Sequence, residues 1–280
     1  QIILAACRNI VIKNQNLSNL SMAIEIGFSS NITIKNNNLS DDETGIYLYS
    51  CHNCTLLKNN ITEFISYGIL LSYSLNNRLI NNVARSKGYF GSPVKYGIYL
   101  ESCSNDIIKD NNASSNEGHG GFWGYGYAYG IYLFNSSNNT LASNNASFNW
   151  GSGGLAGGGQ GYGIYLSFSP NNTLVRNTAN SNKGSDIGYG IFLSSSPKSE
   201  LIRNTANSNR GQIVGCGIYL RNSPNSSIIN NVANLNWGYS KWTRGESYGI
   251  SLSSSTNCVL INNTANTNKG YYVGYGIYIL

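Results

Sequence analysis

The sequence predicts an all-β solenoid: one elongated body of short strands wound into stacked coils. Three observations predict it. The stretch Tyr162-Gly163-Ile164-Tyr165-Leu166 returns as Tyr129 to Leu133, as Tyr189-Gly190-Ile191-Phe192-Leu193 and as Tyr275-Gly276-Ile277-Tyr278-Ile279. A motif that recurs through a whole chain marks a repeat architecture. The shortest period is 22 residues, too short for two packed helices and their turns. Within each copy, apolar residues sit two apart, on one face of a strand.

Composition agrees. Only 11% of the 280 residues are charged, and the net charge of +6 is scattered singly, which reads as ordinary surface charge and not as a nucleic-acid footprint. Regularly spaced Ile, Leu and Tyr are not the composition of a disordered chain. No apolar run approaches the roughly 20 residues of a membrane-spanning helix. Gln1 already lies in repeat phase, as expected of a mature or trimmed chain.

Counting the glycine before Ile as phase zero, the coils begin at Gln1, Ala23, Gly45, Gly68, Gly97, Gly130, Gly163, Gly190, Gly217, Gly249 and Gly276. That makes ten repeats and the opening strand of an eleventh. Phase one is Ile throughout, from Ile2 to Ile277, and phase three is Leu or Ile; both face inward. Phase two, often Tyr, faces outward. Apolar rows recur at phase eleven (Ile12 to Leu260) and phase sixteen, where Leu17, Leu39 and Ile61 give way to Ala84 and then Ala at every coil to Ala265. Asn fills phase eight (Asn9 to Asn257, with Lys198) and phase fourteen (Asn37 to Asn263, after Gln15). Asn tolerates left-handed corners, and stacked amides bond as ladders.

The marks Gly-Ile-Tyr-Leu, Ser-x-x-Asn and Asn-x-Ala, as in Gly163 to Ala179, resemble those of right-handed parallel β-helix repeat proteins, in particular the NosD-like and carbohydrate-binding or sugar-hydrolase repeat group. The resemblance covers the whole chain. It implies a right-handed rod of ten to eleven coils, about 50 Å long at the strand spacing. It implies little about function, because the group mixes enzymes with binding and structural proteins.

Residues 1–280 are read as one domain, with bare coils over 1–67 and lateral insertions over 68–280. Spacings of 22, 22 and 23 residues become 29, 33, 33, 27, 27, 32 and 27 from Gly68 onward. The additions always precede the next Tyr-Gly-Ile, so they stack on one edge. They are rich in Gly and aromatics: Tyr89, Phe90, Phe122, Trp123, Trp150, Trp237, Trp242, Tyr271 and Tyr272. An exposed aromatic wall points to a sugar or protein partner; alternatively, these loops pack on one another as a side sheet.

Chemistry is sparse in the sequence. Glycoside hydrolysis needs two carboxylates roughly 5 to 10 Å apart. Yet Glu25 has Ile3 and Tyr47 in the adjoining coils, and Glu101 has Ser72 and Phe134. Asp41-Asp42-Glu43 is the one acidic cluster and reads as a solvated turn, with carboxylate oxygens for a Ca²⁺ ion as the alternative. Cys51-His52-Asn53-Cys54 lacks the second ligand pair of a zinc site. Cys7, Cys51 and Cys103 take a position that other coils give to Ser, and Cys216 replaces the Tyr before Gly. No catalytic residue, metal ligand or cofactor site is expected, and the chain is read as no enzyme.

Sequons at Asn16, Asn38, Asn60, Asn112 and Asn145 share phase fifteen, point outward and are the candidate glycosylation sites. Neither end carries a cap. Gln1, Ile2, Ile3 and Leu4 are in register with Tyr278, Ile279 and Leu280, which suggests either a piece of a longer chain or head-to-tail stacking of copies. The leading expectation is an extracellular or cell-surface structural protein: a glycosylated filament, stalk or surface-layer subunit that self-associates. The alternative is a carbohydrate-binding or polysaccharide-processing β-helix that uses the aromatic wall. No nucleic-acid partner and no membrane span are expected.

Overall fold

The computed structural model describes residues 1–88, 91–154, 157–242 and 244–280, so Tyr89 and Phe90 lie outside the described residues. The first coil runs through strands Ile2–Ala5, Val11–Lys13 and Asn16–Ser18, and the second repeats them as Met22–Gly27, Thr33–Lys35 and Asn38–Ser40. Stacking gives a long parallel sheet of eleven strands, a second of ten, and a third of four that continues as single parallel bridges through Asn112, Asn145, Thr178, Thr205, Val232 and Thr264. The predicted register holds without a slip: Ile2 pairs Ile24, Ile98 pairs Ile131, and Ile250 pairs Ile277.

The lateral insertions form a sheet of their own. Its six strands are Glu117–His119, Trp150–Ser152, Lys183–Gly184, Arg210–Gly211, Trp237–Gly238 and Lys269–Gly270, all parallel.

The coils turn at left-handed corners at phases five, eight, thirteen and eighteen, the last of these missing only at Ser86 in the coil that begins at Gly68. Asn31, Asn138 and Asn225 at phase eight have φ of 55°, 59° and 58°. A positive φ is uncommon outside Gly, and Asn is enriched there. Yet Phe28, Phe168 and Leu235 adopt it too; the stack demands the corner whatever the residue.

Inside, Ile and Leu rows alternate with buried amides. The phase-fourteen Asn form an unbroken ladder from Asn37 to Asn263. Each Nδ2 donates to the Oδ1 of the next coil's Asn at 2.9 to 3.1 Å. The same Oδ1 also accepts the preceding backbone N–H, as Asn144 Oδ1 does from Asn111. A second ladder, not anticipated from the sequence, runs Asn116, Asn149, Asn182, Asn209, Asn236, Asn268. From Ala113 onward the ladder shares its corner with the phase-sixteen Ala: Asn116 Nδ2 donates to Ala113 O at 3.2 Å and Asn149 Nδ2 to Ala146 O at 3.0 Å. A Cβ on Gly97 would lie 2.8 Å from Asn116 Nδ2 and 3.1 Å from Ala113 Cβ, so only Gly fits opposite them.

One rung departs from its column. Asp106 Oδ1 accepts the Asn77 N–H at 2.6 Å, but its Oδ2 has no partner. The column's Asn172 instead donates Nδ2 to Ser136 O at 2.9 Å. Burial pushes the Asp106 carboxyl up to about 7. Asp42 is similar and corrects the reading of a solvated turn: it is buried, Oδ2 is unpaired, and burial raises it to about 6. The folded chain holds the Asp106 proton more tightly than the unfolded chain, whose carboxyl titrates near pH 4. Stability from this group is therefore full below about pH 4 and is lost as pH rises through about 7. Asp106→Asn should raise stability by about 1–3 kcal/mol at pH 8 and far less at pH 4. Thermal melts at the two pH values test this; an equal gain at both would refute the assignment.

Candidate functional sites

Two surfaces concentrate aromatic and charged side chains. The first is a ribbon of rings on the outer face of the long sheet. Strict alternation would send the Tyr before Gly and the Tyr at phase two to opposite faces. Here Gly and the following Ile both face inward. A Cβ on Gly130 would lie 2.7 Å from the buried Asn149 Nδ2, and Ile131 is fully buried. Tyr129 and Tyr132, on either side of the pair, thus stack at 5.1 Å. One column runs Tyr67, Tyr96, Tyr129, Tyr162 at centroid spacings of 4.9 to 5.0 Å. The other runs Tyr99, Tyr132, Tyr165, Phe192, Tyr219 at 4.8 to 5.1 Å. Within the intact run each ring face lies against another ring, so ring edges and hydroxyls meet solvent. The sequence places these tyrosines on the rod but does not reveal their shared face.

The second surface is the side sheet. Its register lines up Glu117, Trp150, Lys183, Arg210, Trp237 and Lys269 in one outward column. The Lys183 ammonium lies 4.7 Å from the Trp150 ring, and the Arg210 guanidinium 5.7 Å from Trp237. Beside the column, Ser208, Arg210, Leu235, Trp237, Thr267 and Lys269 line a shallow cleft of about 210 Å³. Basic residues that are isolated in sequence are thus neighbours in space.

At the head of this column, His119 Nδ1 lies 2.5 Å from Ser152 Oγ, and its Nε2 lies 3.4 Å from Glu117 Oε2. The Trp150 ring meets the imidazole edge-on. This geometry suits proton transfer. It does not complete an acyl-transfer centre, because the nearby N–H groups of Gly153 and Gly154 already donate to Ser185 Oγ and Gly124 O.

The insertions pair with one another as a side sheet, and Phe122, Trp123, Trp242, Tyr271 and Tyr272 are exposed, Trp242 at 89%. Trp150 is half-buried under Lys183. The sequon residues sit on the third row, where Asn60 donates to Asn38 and Asn38 to Asn16 at 2.7 and 3.0 Å, and Asn145 donates to Asn112 at 3.4 Å. Gln1 precedes the first edge strand of the long sheet, Ile2, Ile3 and Leu4 lie on it, Tyr278 and Ile279 lie on the last strand, and Leu280 follows it. Among the described residues no three His, Cys, Asp or Glu side chains converge as a metal site, and no helix is long and apolar enough to cross a membrane. The Cys51 and Cys54 thiols are buried in the core, where they donate to Ile26 O at 3.3 Å and His52 O at 3.5 Å, while the His52 side chain is exposed.

The chain belongs to the right-handed β-helix family, whose model, described as right handed beta helix region, matches residues 95–231 and 160–280. Residues 1–128 match the model described as periplasmic copper-binding protein (NosD). Among the described residues no three His, Cys, Asp or Glu side chains come together to hold a copper ion. No curated protein matches the sequence. Among solved structures, the periplasmic alginate epimerase AlgG is 18% identical, with a TM-score of 0.54, covering 92% of this chain and 55% of that one. A mutant form of it is 20% identical, with a TM-score of 0.55, covering 90% and 51%. The chain thus spans little more than half the length of that protein. The mannuronan C-5 epimerase AlgE4 A-module of Azotobacter vinelandii is 13% identical, with a TM-score of 0.56, covering 96% and 78%. These structures share the fold, and they overturn the expectation that the chain is no enzyme: coils of this kind carry carbohydrate chemistry in the epimerases.

Burial raises the ribbon phenols, Tyr132 to about 12 and Tyr129 well above its usual value. A protonated phenol is thus favoured by folding, and stability falls as pH rises past about 10. Absorbance at 295 nm and circular dichroism followed together should show the ribbon's phenolate appearing with unfolding. A complete phenolate rise in a chain that keeps its fold would contradict the stacked ribbon.

Proposed function

We propose that this protein binds or processes an acidic polysaccharide outside the cytoplasm, laid along the side sheet. The observation that carries this is the column Trp150, Lys183, Arg210, Trp237, Lys269. Coils repeat about every 4.8 Å, so the column offers a polymer regularly spaced cations with indole rings between them. Lys and Arg attract carboxylates through charge and bidentate hydrogen bonds, and tryptophan covers the apolar face of a sugar ring. The reading is supported by the epimerases that share the fold, whose names give alginate and mannuronan as substrates. The periplasmic descriptions of AlgG and of the NosD model support the location. This reading displaces the filament or stalk, which no feature of these surfaces favours. His119, with Ser152 and Glu117, is the acid–base group at the head of the column.

Binding to alginate should weaken with salt and exceed binding to a neutral glucan. Lys183→Ala with Arg210→Ala should lower alginate affinity about tenfold and flatten its salt dependence, as followed by affinity electrophoresis. Equal affinity for the neutral glucan would refute the proposal. Proton NMR of alginate incubated with the chain, and with His119→Ala, tests for processing.

A further inference from the structure

The two columns of rings each lose one rung near the end of the chain. Cys216 stands between Tyr189 and Tyr248, where other coils place Tyr. One coil later Ser251 stands between Tyr219 and Tyr278. The missing rings leave a cavity of about 290 Å³, lined by Tyr189, Cys216, Tyr219, Tyr248, Ser251 and Tyr278, with others. Tyr189 answers the gap by tilting. It lies at 32° to Tyr162, where the rungs below it lie at 6° to 7°. Here the side chains of Tyr189, Tyr219, Tyr248 and Tyr278 border a cavity, whereas in the intact run ring lies against ring.

Dimensions and chemistry narrow the occupant. Residues two coils apart are separated by about 10 Å, twice the 4.8 to 5.1 Å spacing of the intact second column. One flat ring therefore enters at the ladder's own pitch, with a phenol on each face, in the offset stacking that aromatic pairs prefer. The volume lies at the lower limit of small-molecule sites, enough for a ring and not for a chain. The rim is polar: Glu246 accepts the Tyr248 hydroxyl, and Ser251 and Ser253 also line the opening.

We infer that this gap is a binding site for a single flat aromatic ring bearing a hydroxyl, a phenol, which takes the place of the ring missing between Tyr219 and Tyr278 in the second column. The inference is independent of the polysaccharide reading, whose surface is the side sheet.

The test uses the full chain with 4-methylphenol as probe and methyl β-glucopyranoside as comparison. Saturable binding of 4-methylphenol, with nuclear Overhauser contacts to the rings of Tyr219 and Tyr278, is expected. Cys216→Tyr and Ser251→Tyr fill the gap with the ring that the other coils carry. Each should raise the melting temperature and weaken the probe at least about tenfold. Ser251→Phe is the second variant, should one fail to fold, and the contacts in the unmodified chain stand apart from any variant. The inference is overturned by absent or non-saturable 4-methylphenol binding, by contacts elsewhere on the rod, by glucoside binding as tight as the phenol's, or by filled variants that bind unchanged.

Discussion

Every feature of this molecule depends on one constraint: residues in register on successive coils are held one strand spacing apart, about 4.8 Å. At that distance like groups bond like groups. An amide can accept from the coil before and donate to the coil after, and the Asn37 to Asn263 ladder does so without a break. Buried amides left unpaired would be costly; stacked, they satisfy one another and the corner backbone together. Rings obey the same spacing, which lies within the range aromatic pairs favour. A carboxylate obeys it badly. Asp106 and Asp42 each keep an orphaned oxygen, because an acceptor cannot take the place of a donor in a column.

The same constraint separates what was legible in the sequence from what was not. The Ile, Leu and Asn rows could be read because repetition exposes them. Ile98 faces inward for the same reason that Ile131 does. The second amide ladder is equally periodic, at phase nineteen from Asn116 to Asn268, but the first four coils place Leu20, Asp42, Phe64 and Lys87 there, so the bare coils that define the repeat show no such row. The ring ribbon was hidden by the adjacent inward Gly and Ile, which break the alternation that a strand reading assumes.

Function was harder still, because it sits on irregular pieces. The side sheet's later strands are two residues long and half glycine, and no hydrophobic pattern announces them. Lys183, Arg210 and Lys269 stand 27 and 59 residues apart in the chain and looked like dispersed charge. Register gathers them. A search for paired acids in adjoining coils could not find a site made of cations and indoles. The cluster of His119, Ser152 and Glu117 spans two insertions and has no sequence signature.

The unequal coils also give the rod a mechanical character. Each coil pairs only with those above and below it, so a pull on the chain peels the rod one coil at a time. A coil of 22 residues releases about 75 Å of extended chain and one of 33 residues about 110 Å. The bare coils, with three rows of strand pairing and no side sheet, part over short steps. The laterally paired coils hold by a further seam and yield over long ones. Drawn out from either end, the molecule would spell its own insertion pattern as a series of lengths.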